Sequence, residues 1–412
     1  MATKSRTYLP TDWQVWVYTP VAGKFRLDFS ALDGADVLGS PTDTGSIQPL
    51  SLRINSIQVD DGQRPEQGVF SNFAPATMEL SAQLLSWEAN TVKELYNGKQ
   101  IFLTLKNEAT NSHPTFGKNT VFFIGQIENL EIQVDPINSV TNLTISASDV
   151  LSSIFNQPMT MLKDNATSKG IQLVTAVNNM IANGFVNDYG RLEFDGGLNS
   201  SYELNVTQTK GLGEWVNDFI VTEVALAIPY VLQQYSGGSW ILRKALNMKT
   251  IAALVKNGEL IPESIISNIL IAQDGSNAPN AFSISNSTST YAYGVTTANA
   301  SSNPTVYVAT LDATTANLKT IADKITAFSQ AIQPTQVTVR TAQSFQTITF
   351  DNTRPLTGSN DYTFPKYFWI NGQEVKTMPT YTSGTYYHMV VGTSHTIDVD
   401  GWTTTYQLWK GL

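Results

Sequence analysis

Apolar and polar residues alternate in short runs over the first third of the chain. A period of two places one face of a strand in a core and the other at the surface, so this pattern predicts β-strands. Pro and Gly separate the runs, which favours a barrel or a sandwich of short strands. The runs are Gln14–Tyr18, Phe25–Phe29, Leu50–Asp60, Ala76–Leu84, Ile101–Leu105 and Val121–Ile127.

Two of these runs predict more than a strand. The run at 50–60 changes phase between Ile54 and Ile57, which predicts a β-bulge. The run that ends Phe-Ile-Gly-Gln-Ile at 123–127 is followed by a turn at Asp135–Pro136 and a second alternating run at Leu143–Leu151. This pair predicts a hairpin that closes a small β-barrel, with Asp149 at the start of a following helix.

The middle of the chain mixes helical and strand patterns. Ile and Val recur at helical spacing from Ile171 to Ile181, and a second helical pattern covers 212–225. Ser236–Gly238 separates two strand patterns and predicts a tight hairpin. The clearest helix is predicted over 314–332, where apolar residues recur every three or four positions until Pro334.

Strand patterns return near the C-terminus, and the predicted fold class is mainly β with a few helices (α+β). It has two small β-barrel-like domains with mixed α/β domains between them. The predicted segments are an N-terminal arm at 1–12, a first β-barrel domain at 13–150, a mixed α/β domain at 151–270, an α+β domain with the 314–332 helix at 271–345, and a C-terminal β domain at 346–412.

Composition narrows the functional classes. Only 14% of the 412 residues are charged, the net charge is −9, and Lys and Arg form no cluster that would bind a phosphate backbone. Cysteine is absent, which excludes disulfides and thiolate metal sites. No apolar run is long enough for a signal peptide or a membrane anchor. We therefore expect a protein made in its host's cytoplasm without a membrane anchor.

The sequence contains no common catalytic or metal-binding motif. The histidines are His113, His388 and His395, and the last two are expected on either side of a strand–turn–strand. Asp400–Gly401 is interpreted as a type I′ hairpin turn, and Asp60–Gly62 as a similar turn or an interface loop.

The carboxylates and glycines of the sequence also match no common catalytic or nucleotide-binding motif. The carboxylates considered for glycoside hydrolysis are Glu79, Glu88, Glu128 and Glu131, and nothing in their spacing selects a pair. Gly211–Gly213 lacks the strand and the third glycine of a dinucleotide fingerprint. We expect no enzyme activity, and no catalytic, cofactor-binding or metal-binding residues.

Several segments, in order, resemble tail hub proteins (minor tail or baseplate hub proteins) of tailed bacteriophages. The resemblance lies in the order and spacing of short segments and is not matched over 151–270. The segments are Ile57–Gly62, Ala76–Leu80, Gly98–Leu103, Phe123–Ile127, Ala147–Leu151, Ser289–Gly294, Pro334–Val339, Tyr386–His395 and Trp402–Leu408.

This resemblance implies a structural virion protein at the tail tip that assembles as a homotrimeric ring. The ring would join a sixfold tail tube and its distal tail protein to threefold tip or fibre proteins, and genome DNA would pass through it without specific binding. The implied partners are the distal tail protein, the tape measure protein, and a tail fibre or receptor-binding protein.

Two other functions remain open at the level of sequence. Eight Trp and sixteen Tyr residues suit a receptor- or carbohydrate-binding tail fibre protein, in which exposed aromatics stack on sugars. A hydrolase of host-surface polysaccharide is the third possibility, although the resemblance includes no appended wall-degrading domain.

Overall fold

The structure is a computed structural model, and it describes residues in both β-rich ends and in short stretches between them. The described residues are 8–19, 46–62, 76–84, 95–107, 115–149, 171–172, 192–195, 203–204, 230–234, 240–244, 266–271, 281–285, 289–293, 306–310, 318–319, 335–340, 367–371 and 385–410.

The described part of the chain is built mainly of β-strands, which confirms the predicted mainly-β fold class. A single 3₁₀ turn at Pro10–Asp12 precedes the first strand. The strands are β1 (Trp13–Thr19), β2 (Ser46–Pro49), β3 (Arg53–Gly62), β4 (Thr77–Leu84), β5 (Gln100–Leu105), β6 (Thr120–Asp135), β7 (Val140–Asp149), β8 (Ile171–Gln172), β9 (Leu192–Asp195), β10 (Glu203–Leu204), β11 (Tyr230–Gln234), β12 (Trp240–Lys244), β13 (Ile266–Ile271), β14 (Ala281–Ser285), β15 (Thr290–Tyr293), β16 (Val306–Thr310), β17 (Thr335–Arg340), β18 (Tyr367–Asn371), β19 (Thr385–Asp398) and β20 (Gly401–Lys410).

One large antiparallel sheet unites the two ends of the chain. Twelve strands belong to it, in the order β13-β17-β20-β19-β3-β4-β7-β6-β5-β1-β2, and β18 pairs with β19. The long-range connection is the pairing of β3 with β19, which sets Ile57–Gly62 against Gly392–Ile397. Smaller sheets join β8 with β10, β9 with β11 and β12, and β14 with β15 and β16.

The main core lies on one face of this sheet. Strand β4 shows why: its residues alternate between exposed or half-buried and fully buried, and Met78, Leu80, Ala82 and Leu84 all point into the core. Residues from both ends of the chain share that core, since Ile397 and Trp402 belong to the same cluster as Trp13. The terminal hairpin is therefore packed with the first strand.

Gly125 explains the glycine in the Phe-Ile-Gly-Gln-Ile run. A Cβ atom at this position would collide with the backbone carbonyl of Ser148 on β7 and would lie 2.7 Å from the Phe123 ring.

We expect Gly125→Ala to lower the free energy of unfolding by about 1–3 kcal/mol, because the backbone of Ser148 cannot move aside as a flexible side chain would. Urea unfolding followed by circular dichroism measures this. Gly117→Ala, at a site with open space but a φ of +61°, separates steric overlap from backbone strain; equal losses in both variants would contradict the steric explanation.

Several predicted elements are confirmed. The bulge lies in β3, where the register against β4 shifts between Ile54 and Ser56. The hairpin around 236–238 is present as the antiparallel pair β11–β12, and the 120–149 hairpin as β6–β7. Leu318 and Lys319, the described part of the predicted 314–332 helix, are helical. The helix at 212–225 and the strand at 25–29 lie outside the described residues.

Two turn predictions were wrong. Asp60–Gly62 is not a turn, because these residues continue β3 and pair with β19. The turn between β19 and β20 is centred on Val399 and Asp400, which have no positive φ, so it is not type I′. Gly401, with a φ of +121°, begins β20 and supplies the backbone freedom that this connection needs.

Other corrections concern residues that belong to strands. His388 and His395 lie in the single strand β19, and a register shift at Val390–Gly392 replaces the expected turn between them. Ile171 lies in β8 rather than in a helix, because its backbone pairs with Leu204. Asp149 is the last residue of β7, and its backbone N–H donates to the carbonyl of Ala76; the helix predicted to follow it lies outside the described residues.

Candidate functional site

The face of the large sheet opposite the core carries rows of polar residues, except near β1 and β5, where a second apolar cluster that includes Tyr18, Phe102 and Ile124 covers it. Cross-strand register aligns one residue from each of nine strands, β13 to β5, in a single row across the sheet. Every residue in this row is polar, and Asp60 is its charged member. The row reads Asn268, Thr338, Thr405, Ser394, Asp60, Thr77, Ser148, Gln126 and Gln100.

Neighbouring rows repeat the chemistry, and we name all of these rows together the polar face. The second row reads Thr403, Thr396, Gln58, Glu79, Ser146 and Asn129, with Arg340 paired to Thr403 at its end. The third reads Ser56, Ser81, Thr144 and Glu131, and the fourth Arg53, Gln83, Asn142 and Gln133. Hydroxyl and amide side chains thus dominate, with scattered acidic and basic residues and no basic cluster.

Cross-strand hydrogen bonds order the polar face. The hydroxyls of Thr338 and Thr405 lie 2.9 Å apart, and Gln83 Nε2 donates to Asn142 Oδ1 at 3.1 Å. Ser148 donates a short hydrogen bond to Glu128 beside it. The two neutral pairs hold their side chains flat on the sheet. Ser148 and Gln100 in the first row are buried, whereas the exposed and half-buried side chains of the polar face can still bind water. The surface can therefore stay hydrated without attracting a strongly charged polymer.

A polar seam on the core side joins β3 to the C-terminal hairpin. The Asp61 carboxylate accepts hydrogen bonds from the backbone N–H of Thr393 at 2.9 Å and from its hydroxyl at 2.6 Å. Tyr406 lies on the same side of the sheet, one strand further on, and is buried. These contacts fix the register between segments that are far apart in the chain.

His395 lies next to this seam and is neutral. Its side chain is 1% exposed, and Trp402 Nε1 donates to its Nδ1 at 3.3 Å. An indole N–H can only donate, so Nδ1 is an acceptor and the ring proton lies on Nε2. The Thr404 hydroxyl oxygen lies 2.9 Å from the same nitrogen.

Aromatic rings surround His395 and Trp402. The Trp402 ring makes edge-on contacts with Trp13 at 5.2 Å, Phe122 at 5.5 Å and Tyr8 at 5.8 Å between centroids. Phe122 also contacts His395 at 5.0 Å. The cluster brings together side chains from β1, β6, β19 and β20, and it closes the core beneath the polar seam.

Burial shifts the pKa values of Asp61, His395 and Tyr406, the titratable groups in and next to this seam. Desolvation raises the pKa of Asp61 from 3.8 to about 7, against the two hydrogen bonds from Thr393, which lower it. Desolvation lowers the pKa of His395 from 6.5 to about 3. The pKa of Tyr406 is raised well above its usual value, first by burial and then by the Asp61 charge. The phenol and the imidazole are therefore neutral near neutral pH.

The residues considered from the sequence are spread over the molecule. Glu79 is exposed on the polar face, and Glu128 and Glu131 are exposed on β6. His395 is buried and structural. His388 lies in β19, while the remaining candidates lie outside the described residues; these are His113, Glu88 and Gly211–Gly213.

Sequence reasoning missed the bond between Asp61 and Thr393 and the rows of the polar face. Each strand's alternation shows which residues share a face, but only the register between strands shows which residues lie side by side. Within the described residues, no group of three or more His, Cys, Asp or Glu side chains could hold a metal ion. The described helical residues also include no segment long and apolar enough to cross a membrane.

The chain shares a mainly-β fold with solved tail proteins. A tail protein from Neisseria meningitidis MC58 matches with a TM-score of 0.50 and 8% identity, covering 96% of each chain. The 43 kDa tail protein of prophage MuSo2 from Shewanella oneidensis matches with a TM-score of 0.50 and 9% identity, covering 88% of this chain and 93% of that one. No protein-family model and no curated protein matches the sequence.

Proposed function

We propose that this protein is a structural component of a bacteriophage tail, in the form of a homotrimeric hub at the tail tip. The fold shared with two solved tail proteins over most of each chain supports a tail component. The single observation that carries the hub function is the polar face, which presents exposed or half-buried polar residues on the eight strands from β13 to β6 without a basic cluster.

In this proposal the polar face lines a channel for genome DNA. A duplex passing over Ser, Thr, Asn and Gln releases few counterions, because Lys and Arg are sparse there, and so it gains little binding free energy. The first β-rich segment (13–150) and the last (346–412) line the channel together, since β3 and β19 are neighbours in one sheet. The ring joins the sixfold tail tube and distal tail protein to threefold tip or fibre proteins.

The hub acts through its surfaces rather than through catalysis. Its other proposed partner is the tape measure protein inside the tube, and its place is in the virion at the tail tip. The mass of the purified protein in solution, with labelled antibody microscopy of intact virions, tests this directly. We expect a trimer and label at the tail tip. A monomer, or label along lateral fibres, would refute the ring and favour receptor binding.

Adding positive charge to the polar face should make it bind DNA. We expect Thr77→Lys/Thr396→Lys, at two exposed positions of this face, to bind duplex DNA with a salt slope of about −0.9 for each phosphate contacted. The wild type should show no measurable binding at physiological salt. Titration of labelled DNA at several salt concentrations measures both quantities.

The matched control places the same two charges elsewhere. Ile137→Lys/Val399→Lys changes side chains that are 91% and 80% exposed at hairpin turns. It should bind DNA more weakly than the polar-face variant. Equal binding by the two variants would show that net charge, and not the polar face, determines the interaction.

A further inference from the structure

The outer half of the β6–β7 hairpin has an open edge. Strand β5 pairs with β6 only as far as Gln100 opposite Gln126, and the last backbone bonds on that side join Ile127 to Gly98 and Lys99. Residues 129–135 of β6 pair with β7 on one side. No strand among the described residues pairs with them on the other side, so a row of backbone donors and acceptors is left at the edge.

The apolar side of this segment is also uncovered. Leu130, Ile132 and Val134 lie on the core side of the sheet, opposite Ile145, Leu143 and Thr141 of β7. Ile132 is 38% exposed and Val134 51%, whereas Leu143 is 1% exposed. The difference arises because β4 flanks β7 and nothing described flanks this part of β6. One more strand would cover Ile132 and Val134 as β4 covers Leu143.

Hydrogen bonds at the turn between β6 and β7 fix the conformation of this hairpin. At its turn, Asp135 Oδ1 accepts hydrogen bonds from the backbone N–H groups of Ile137 at 3.0 Å and Asn138 at 3.1 Å. Asp135 Oδ2 accepts from Asn138 Nδ2 at 2.7 Å. A turn fixed in this way lowers the entropy cost of binding along the edge.

Charge identifies the kind of partner. Between 120 and 149 the sequence contains Glu128, Glu131, Asp135 and Asp149 but neither Lys nor Arg. Among the described residues, the edge strands of the large sheet carry no basic residue either; they are β2 (SIQP), β13 (ISNILI) and β18 (YFWIN). A second copy that paired through these edges would leave the carboxylates of the hairpin without countercharges.

We propose that residues 129–135 of β6 bind an edge strand of a different protein, which is apolar towards Ile132 and Val134 and carries Lys or Arg on the face beside Glu131. Backbone pairing then provides most of the affinity, and the alternating side chains select the partner. Basic residues opposite Glu131 gain cross-strand attraction, while acidic ones are repelled. This interaction does not depend on the proposed hub function.

Two labelled peptides test the proposal on the full chain. One alternates Val with Lys and the other alternates Val with Glu, so that their apolar faces are the same. Fluorescence anisotropy should show the Val–Lys peptide binding at least about tenfold more tightly than the Val–Glu peptide, with the difference shrinking at high salt. In Glu131→Lys/Gln133→Lys the preference should reverse, and in Ile132→Thr/Val134→Thr both peptides should bind more weakly.

Glu79→Lys is the matched control, because Glu79 is exposed on the polar face but its strand is paired on both sides. It should keep the wild-type preference, and thermal melts should show that all variants fold. Equal affinity for both peptides, or failure of the Val–Lys peptide to bind, overturns the proposal. So does self-association of the wild type that Ile132→Thr/Val134→Thr abolishes, because the partner would then be a second copy.

Discussion

Replacing Trp402 with alanine should lower the free energy of unfolding by about 3–5 kcal/mol, the usual cost of removing a large buried aromatic side chain. The side chain is 2% exposed. Its ring contacts Trp13 from the first strand and Phe122 near the start of β6. Its N–H also donates to His395, and that nitrogen would lose a donor in the variant.

Urea unfolding followed by far-ultraviolet circular dichroism measures the effect without relying on tryptophan fluorescence. Val399→Ala is the matched control, because Val399 lies in the turn of the same hairpin and is 80% exposed; it should change stability by less than about 0.5 kcal/mol. Trp402→Phe should fall between the two. A loss below about 1 kcal/mol in Trp402→Ala would show that the terminal hairpin packs only loosely on the core.

The shared core suggests how the two ends of the chain depend on each other. Trp13 and Trp402 belong to one cluster of buried side chains. Strand β3, in the first part of the chain, pairs with β19, in its last part. Truncation at either end therefore exposes apolar surface at the other. This is a property of the sheet order, and it holds whichever partners the protein has.

Local patterns in the sequence were sufficient to predict individual strands and the features within them. The bulge in β3 follows from the shift in phase between Ile54 and Ile57, and the β6–β7 hairpin from two alternating runs with a turn between them. Both signals lie within a few residues of the feature they predict. The error at Asp60–Gly62 arose because acidic residues next to glycine favour turns, while pairing with a distant strand can override that preference. A turn is present at the other site, but it is centred on Val399 and Asp400, one residue earlier than predicted.

Long-range register could not be predicted in the same way. Nothing near Asp61 indicates that its partner is Thr393, and the alternation of β19 alone does not select β3 as a neighbour. The polar face has the same origin, because each strand contributes one or two of its residues and the rows exist only after the strands are aligned. The open edge of β6 became visible only from the point at which β5 ends.

The pH dependence of stability should separate the two titrating groups of the polar seam. Asp61 has a pKa of about 7 in the folded protein against 3.8 ordinarily. Between these values the folded state keeps a proton that the unfolded state has lost, so this group lowers stability as the pH rises. His395 has a pKa of about 3 against 6.5. Between those values only the unfolded state binds the proton, so this group lowers stability as the pH falls.

In the wild type the two effects oppose each other between about pH 4 and 6.5, and single substitutions should expose them separately. Asp61→Asn leaves the histidine effect, so stability should fall on acidification below pH 6.5 by about 1.4 kcal/mol per pH unit. His395→Asn, which keeps an acceptor for Trp402, leaves the carboxyl effect, so stability should rise as the pH falls from 7 towards 4.

The two slopes should be similar in size and opposite in sign between about pH 4.5 and 6, because there each group binds one proton in only one of the two states. Tyr406 stays neutral throughout this range, since burial raises its pKa well above the usual value, and so it adds no slope of its own. Urea unfolding at several pH values, with the double variant as the reference for all other titrating groups, measures both slopes. Parallel pH profiles for the wild type and the two single variants would show that neither group changes its protonation on folding.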